Sequence, residues 1–255
     1  MSSWKSFDNI DKGESCYIFG NGPSIKWFDL SHFKDKIAIS TGQLHYHKDC
    51  GKLKNIKYFS LVEPWFFVSN FPRTILDTNR KHSELIRSLK PIVDDYKDFI
   101  QNHKDRHFFI NLSNMFSLKG KHIHYVWKTL PKIRNNVDKS LIKYDLFSGS
   151  FYAALTLAYF MGFSDVYLVG FDAMTIEPVR NIRFYEFGKG EVGQNKPGDD
   201  ELLNLFKNEM NIYTISNKGK SKNVINIDYK EYTKTKPQYK ENHEIMDDYY
   251  LKLIK

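Results

Sequence analysis

Short apolar runs of β-favouring residues recur along this chain, each closed by turn-forming residues. Cys16–Phe19 is the first, and Gly20-Asn21-Gly22-Pro23-Ser24 stops it, because two glycines and a proline continue neither a strand nor a helix. Ile37–Ser40 follows, closed by Thr41-Gly42-Gln43, and then Asn55–Val62, which runs into Glu63-Pro64-Trp65-Phe66-Phe67. His107–Leu112, Ser164–Asp172, Asn211–Ser216 and Asn223–Ile227 have the same character.

Between the runs the spacing changes to that of helices. Leu85, Ile86, Leu89, Ile92 and Val93 recur at helical intervals within residues 74–104, and Pro91 predicts a break into two pieces. From an N-cap at Ser148 to a stop at Gly162, the pattern predicts a second helix. Phe151, Ala154, Leu155, Ala158 and Tyr159 would form its apolar face, with Ala153 and Ala154 thin enough to lie close on a sheet. Residues 199–211 and about 245–254 predict further helices, the last with modest apolar positions that suit packing or partner contact. Strands alternating with helices predict an α/β domain with a mainly parallel central sheet.

Two stretches break the rhythm. Residues from about 113 to 145 are irregular and aromatic, which predicts an insertion or an acceptor-facing segment. Residues from about 175 to 200, with Arg180, Arg183, Tyr185 and Glu186 among glycines, predict a mobile lid whose donors suit phosphate oxygens. The whole chain, 1–255, thus reads as one domain with an insertion and a lid.

Charge narrows the partners. A net charge of +8 suits an anionic ligand or surface, but no run of five basic residues occurs, so no nucleic-acid-binding arm is expected. Cys16 and Cys50, the two cysteines, form no CxxC pair and predict neither zinc nor a disulfide framework. The polar start and the lack of an 18-residue apolar run predict a cytoplasmic protein, with peripheral contact to an inner membrane and homo-oligomerisation left open. His45 and His47 would share one face of a strand, yet no third ligand of suitable spacing accompanies them, so no metal is assigned.

The candidate chemistry lies at strand ends. A glycine turn between a buried strand and a helical turn is an anion site in waiting: Gly20 and Gly22 let a ligand approach and tolerate positive φ, and Ser24 offers a hydroxyl. Glu63, at a strand end before a proline, reads equally as a crevice carboxylate or as a turn residue. Gly170-Phe171-Asp172 ends another strand of the same sheet, so both glycine-bearing turns are expected at its carboxyl edge, where α/β proteins bind ligands.

The order of these pieces resembles the bacterial lipooligosaccharide sialyltransferases, glycosyltransferase family 42, which use CMP-sialic acid. The resemblance rests on Gly20-Asn21-Gly22-Pro23-Ser24-Ile25-Lys26, on Ser148-Gly149 before the small-residue helix, and on Gly162-Phe163-Ser164-Asp165-Val166-Tyr167-Leu168 with Gly170-Phe171-Asp172. Gln43, Pro64-Trp65-Phe66-Phe67 and Tyr185-Glu186-Phe187 are weaker echoes. It implies one Rossmann-like domain, a GT-A-like variant with a central parallel sheet flanked by helices. It also implies donor contacts from Asn21, Gly22, Ser24, Ser148 and Gly149, with Gly20, Gln43, Glu63 and Arg183 beside them. Tyr185 matches the lid tyrosine that holds the departing phosphate.

The chain departs from the family pattern where Gly42 and Glu63 stand in place of donor-binding asparagines and Met174 in place of a second tyrosine. Residues 175–210 contain no histidine, which leaves the general base open among Glu186, Asp199, Asp172, His122 and His124. The resemblance implies a metal-independent transfer of a sialic-acid-like or other acidic sugar from a CMP-activated donor to a surface-glycan acceptor, with no metal cofactor. Other readings are a glycosyltransferase with another donor nucleotide, a Mg-ATP-dependent pterin pyrophosphokinase-like enzyme, and a noncatalytic nucleotide- or glycan-binding protein.

Overall fold

A computed structural model describes residues 4–62, 66–67, 82–126, 150–172, 183–188, 203, 206–217, 221 and 224–253, the side chains of 4–5 and 82–89 excepted. Eight strands form one sheet: β1 (Ser15–Phe19), β2 (Ile37–Thr41), β3 (Ile56–Leu61), β4 (His107–Asn111), β5 (Ile123–Val126), β6 (Asp165–Val169), β7 (Asn211–Ser216) and β8 (Ile225–Asp228). Their order is β5-β4-β3-β2-β1-β6-β7-β8 and every neighbouring pair runs parallel. This is the α/β fold predicted, and the arrangement is consistent with a Rossmann-like sheet. Chain order runs outward from β1 on one side and resumes with β6 on the other. The carboxyl ends of β1 and β6 therefore flank the point where the topology reverses, the usual place for a ligand crevice.

A parallel sheet has to be covered on both faces, and alternation along β1 supplies both. Tyr17 and Phe19 enter a core with Phe28, Phe33, Phe59, Phe108, Tyr96 and Tyr229, while Cys16 and Ile18 enter another with Ile39, Phe109 and Leu168. The helices follow as α1 (His82–Asn102), α2 (Ser150–Met161), α3 (Tyr229–Thr233), α4 (Asn242–Ile245) and α5 (Asp248–Leu253). Among the described residues no helix is long and apolar enough to cross a membrane. Both cysteines are buried and free.

Several expectations are corrected. Pro91 does not divide the helix, since α1 runs through it unbroken. Pro91 is exposed, so water can take the carbonyl that it leaves without a donor, while Val93, Tyr96 and Ile100 hold the inner face against the core. The segment from 113 to 145 is not wholly an insertion, because β5 lies within it and pairs with β4. Helix α2 buries eight of its twelve residues, more than one face, in a core that also holds Leu203, Phe206 and Met210. The closing helix about 245–254 is two short helices, α4 and α5. Gly162 does end α2 with φ of +86°. Ser148, residues 199–202, 204 and 205 of the helix expected over 199–211, and most of the lid lie outside the described residues.

Nor do His45 and His47 share a strand. His45 lies in a 3-10 helix (Leu44–Tyr46), and His47 caps the next one (Lys48–Lys52) by accepting from the Asp49 amide at 3.1 Å. His122 bonds the Ile100 carbonyl at 3.0 Å, and His124 bonds His107 at 3.0 Å with its ring packed on Phe7. All of these imidazoles serve the core.

Burial lowers the pKa of all four histidines His45, His47, His107 and His124, with His47 and His124 brought down to about 4. The unfolded chain takes up these protons near pH 6.5 and the folded chain does so only at lower pH, so stability falls as pH drops below 6.5. His47 and His124 each contribute a slope of up to ~1.4 kcal/mol per pH unit towards pH 4. The Tm should therefore decline steadily from pH 7 to pH 5, and a His47→Gln/His124→Gln variant should show a flatter profile over the same interval.

Candidate functional site

The turns after β1 and β6 meet at the reversal point. Gly20 donates its amide to the Val169 carbonyl at 2.8 Å and Gly22 donates to that of Gly170 at 2.7 Å. The Ser24 amide, in the 3-10 helix Pro23–Lys26, donates to Asp172 Oδ2 at 3.0 Å. A Cβ on Gly22 would lie 2.0 Å from Asp172 Oδ2 and 2.6 Å from the Gly170 carbonyl oxygen. The φ of Gly22 is an ordinary −65°, and the glycine is demanded by space alone. Positive φ, which Gly20 and Gly22 would tolerate, occurs nearby at Gly42 and Gly170. Burial raises the Asp172 pKa while the Ser24 amide opposes it. Gly20, Gly22, Ser24 and Asp172 thus form the joint beneath the site.

Asn21 is the member of this turn that faces the cleft. Its Nδ2 donates to Gln43 Oε1 at 2.9 Å, and its Oδ1 accepts from the Gln43 amide at 3.1 Å. The reciprocal pair needs Gly42 between them: its φ is +73°, and a Cβ there would meet Asn21 Nδ2 at 2.0 Å. On the far side, Phe184 donates its amide to the Asn21 carbonyl at 2.8 Å, which brings residues 183–188 over the turn.

A cleft of about 320 Å³ opens here, lined by Asn21, Gln43, Tyr46, Tyr96, Arg183 and Tyr185, with Thr41, Gly42, Leu61, Phe66, Ile92 and Ser150 completing the wall. Arg183 Nη1 donates to the Tyr185 hydroxyl at 2.7 Å. No carboxylate lies within ion-pair distance of the Arg183 guanidinium among the described residues. Among the described residues, Arg183 is the one charged residue of the lining, and neither an acid nor an imidazole shares it. Such a lining, which combines carboxamides, a guanidinium and aromatic rings, suits an anion that carries a flat ring.

The wall is backed by His45, whose Nε2 lies 3.2 Å from Asp95 Oδ2 and whose ring sits 4.4 Å from Tyr46 and 4.2 Å from Tyr96. Tyr96 also donates its hydroxyl to the Gly42 carbonyl. Tyr250 of α5 closes the back at 4.6 Å from Tyr46.

Residues 183–188 are fixed from below. Lys26, wholly buried, donates to the carbonyls of Glu186 and Gly188, each at 2.6 Å, and to Asn242 Oδ1 at 2.8 Å. Asn242 Nδ2 in turn donates to the Tyr185 carbonyl at 2.8 Å. Burial pulls the Lys26 pKa down to about 8, against the attraction of Glu241 and Glu186. Burying an ammonium costs several kcal/mol, and three charge-assisted bonds of about 1.5–3 kcal/mol each offset it.

Of the expected site residues, Asn21, Gln43, Arg183 and Tyr185 come together in the cleft. Glu186 lies outside the lining, its Oε2 accepting from the Arg183 amide at 2.9 Å. Glu63, Ser148, Gly149 and Asp199 fall outside the described residues. The aromatic wall was not foreseen. Tyr46 stands next to two histidines that drew attention for their spacing, and Tyr96 comes from α1, 54 residues beyond Gly42, with no local signal to link them.

Gly22→Ala should cost at least about 2 kcal/mol, because backbone and carboxylate on the β6 side must move. The expected drop in Tm is about 4–8 °C in thermal denaturation, whereas Gly51→Ala, where an added Cβ meets nothing within 4 Å, should leave Tm nearly unchanged. Comparisons of this chain with protein-family models, with curated proteins and with solved structures give no match.

Proposed function

We propose that the cleft holds the nucleotide of a CMP-activated sugar, and that the protein is a metal-independent glycosyltransferase. It would move a sialic-acid-like or other acidic sugar to a surface-glycan acceptor, acting in the cytoplasm. The observation that carries this reading is the lining itself: Asn21, Gln43, Arg183 and Tyr185 converge at the topological reversal, together with aromatic rings and, among the described residues, without an acid. The sequence motifs around Asn21 and Tyr185 resemble those of the sialyltransferases in the same order.

The chemistry follows from these groups. As the bond from the sugar to the phosphate oxygen breaks, negative charge grows on CMP. A phenol already accepting from a guanidinium is a stronger donor through its own O–H, so the Arg183–Tyr185 pair favours that charge. The carboxamides of Asn21 and Gln43, held by each other, are pre-oriented for ribose or phosphate oxygens, and Tyr46, Tyr96 and Phe66 offer surfaces for the base. The acceptor hydroxyl attacks the carbon that loses CMP and gives its proton to a base.

Thermal-shift measurements with CMP, CDP, UDP, GDP and ATP, each with and without Mg²⁺, test the reading. CMP should raise Tm without metal. Stabilisation by Mg-ATP alone would replace the proposal with a pyrophosphokinase-like activity, and stabilisation by another nucleotide would change the donor. Asn21→Ala and Tyr185→Phe should each lower donor turnover about 100-fold or more, as loss of a single transition-state donor does, without unfolding the protein. Unchanged kinetics in both variants would place the site elsewhere.

A further inference from the structure

We propose that Lys26 and Asn242 are positioning residues, which set the geometry of the Arg183–Tyr185 pair by gripping the backbone of residues 184–188 from beneath. Neither residue lines the cleft. Each nevertheless bonds the main chain of the segment that carries the pair: Lys26 at the Glu186 and Gly188 carbonyls, Asn242 at that of Tyr185. Lys26 and Asn242 bond each other as well, so the three contacts form one connected unit.

Two features argue that this unit does more than fill space. First, Lys26 is a fully buried ammonium with no carboxylate in ion-pair distance among the described residues. Its three N–H groups meet three neutral oxygens, so the whole hydrogen-bonding capacity of a costly buried charge is committed to this one junction. Second, residues 183–188 form no strand and no helix of their own, and Arg183, Phe187 and Gly188 are exposed. A short irregular segment holds one geometry only if its carbonyls and amides are fastened from outside. The fastenings come from both ends of the chain. Phe184 is tied to the β1 turn, and Asn242 belongs to a C-terminal stretch that runs beside Lys26 through the Lys240 amide to the Lys26 carbonyl at 2.9 Å and the Gln238 amide to the Trp27 carbonyl at 3.0 Å. The C-terminal stretch is thereby coupled to the cleft without entering it.

Hydrogen exchange of single amides tests the grip directly. In Lys26→Met, which keeps the apolar stem, exchange at the Phe184 and Glu186 amides should accelerate at least tenfold, with the amides of β1 unchanged. Asn242→Leu, close in shape and lacking both bonds, should do the same and stands in if the lysine variant fails to fold. Unchanged exchange at Phe184 and Glu186, or equal acceleration throughout β1, would overturn the proposal. A second readout rests on the nucleotide reading given above: CMP should bind each variant at least tenfold more weakly, and undiminished affinity alongside a loosened segment would also overturn positioning of the cleft. If CMP fails to bind the wild-type protein, the assigned donor falls, while the exchange measurement still decides the role of Lys26.

Discussion

Between the turns that follow β1 and β6 there is no room for a single methyl group. The Gly22 amide reaches the Gly170 carbonyl, Asp172 reaches the Ser24 amide, and a Cβ on Gly22 would overlap both Asp172 and Gly170. This contact joins the two halves of the sheet at their carboxyl edge, and the rest of the site is placed relative to it. Asn21 is turned outward because its neighbours on either side are pressed against β6. From there the Asn21–Gln43 pair sets the edge of β2, and the Asn21 carbonyl seats Phe184. A glycine turn that looks suited to a ligand therefore spends both glycines on the protein itself, and presents to the cleft only the residue between them.

The same economy runs through the polar groups around the cleft. Asp172 accepts from the Ser24 amide at the joint, Glu186 holds the amide of Arg183, and Lys26 binds main-chain oxygens. Each has a structural partner, and none lines the cleft. Among the described residues, the polar groups at the surface of the cleft include two carboxamides and one guanidinium, beside aromatic rings. An acid placed among them would repel the anion that the guanidinium attracts, whereas acids one layer back shape the backbone without that cost.

Much of this was legible in the residues. The strands were recognisable because parallel strands buried on both faces read as short apolar runs, and β7 matches its expected span from Asn211 to Ser216. Arg183 and Tyr185 were singled out because phosphate-suited donors are a local signal, whereas Asn21 and Gln43 were singled out by the resemblance of their turns to the sialyltransferase motifs. Less legible was β5: four residues containing a histidine and a tyrosine do not stand out from an irregular neighbourhood until β4 offers them a ladder. Pro91 misled because its effect depends on which side of the helix faces water.

Composition and pattern alone determined the α/β class and the parallel sheet, since each follows from periodicity within a dozen residues. Which turn residue faces outward was decided by tertiary structure, because the answer depends on a clash between Gly22 and Asp172, 150 positions apart. The aromatic wall from α1 and the grip of Lys26 on residues 186 and 188 are of the same kind. A buried lysine and a surface lysine are identical in sequence, and only the packing around Lys26 turns its charge into a fastening beneath the cleft.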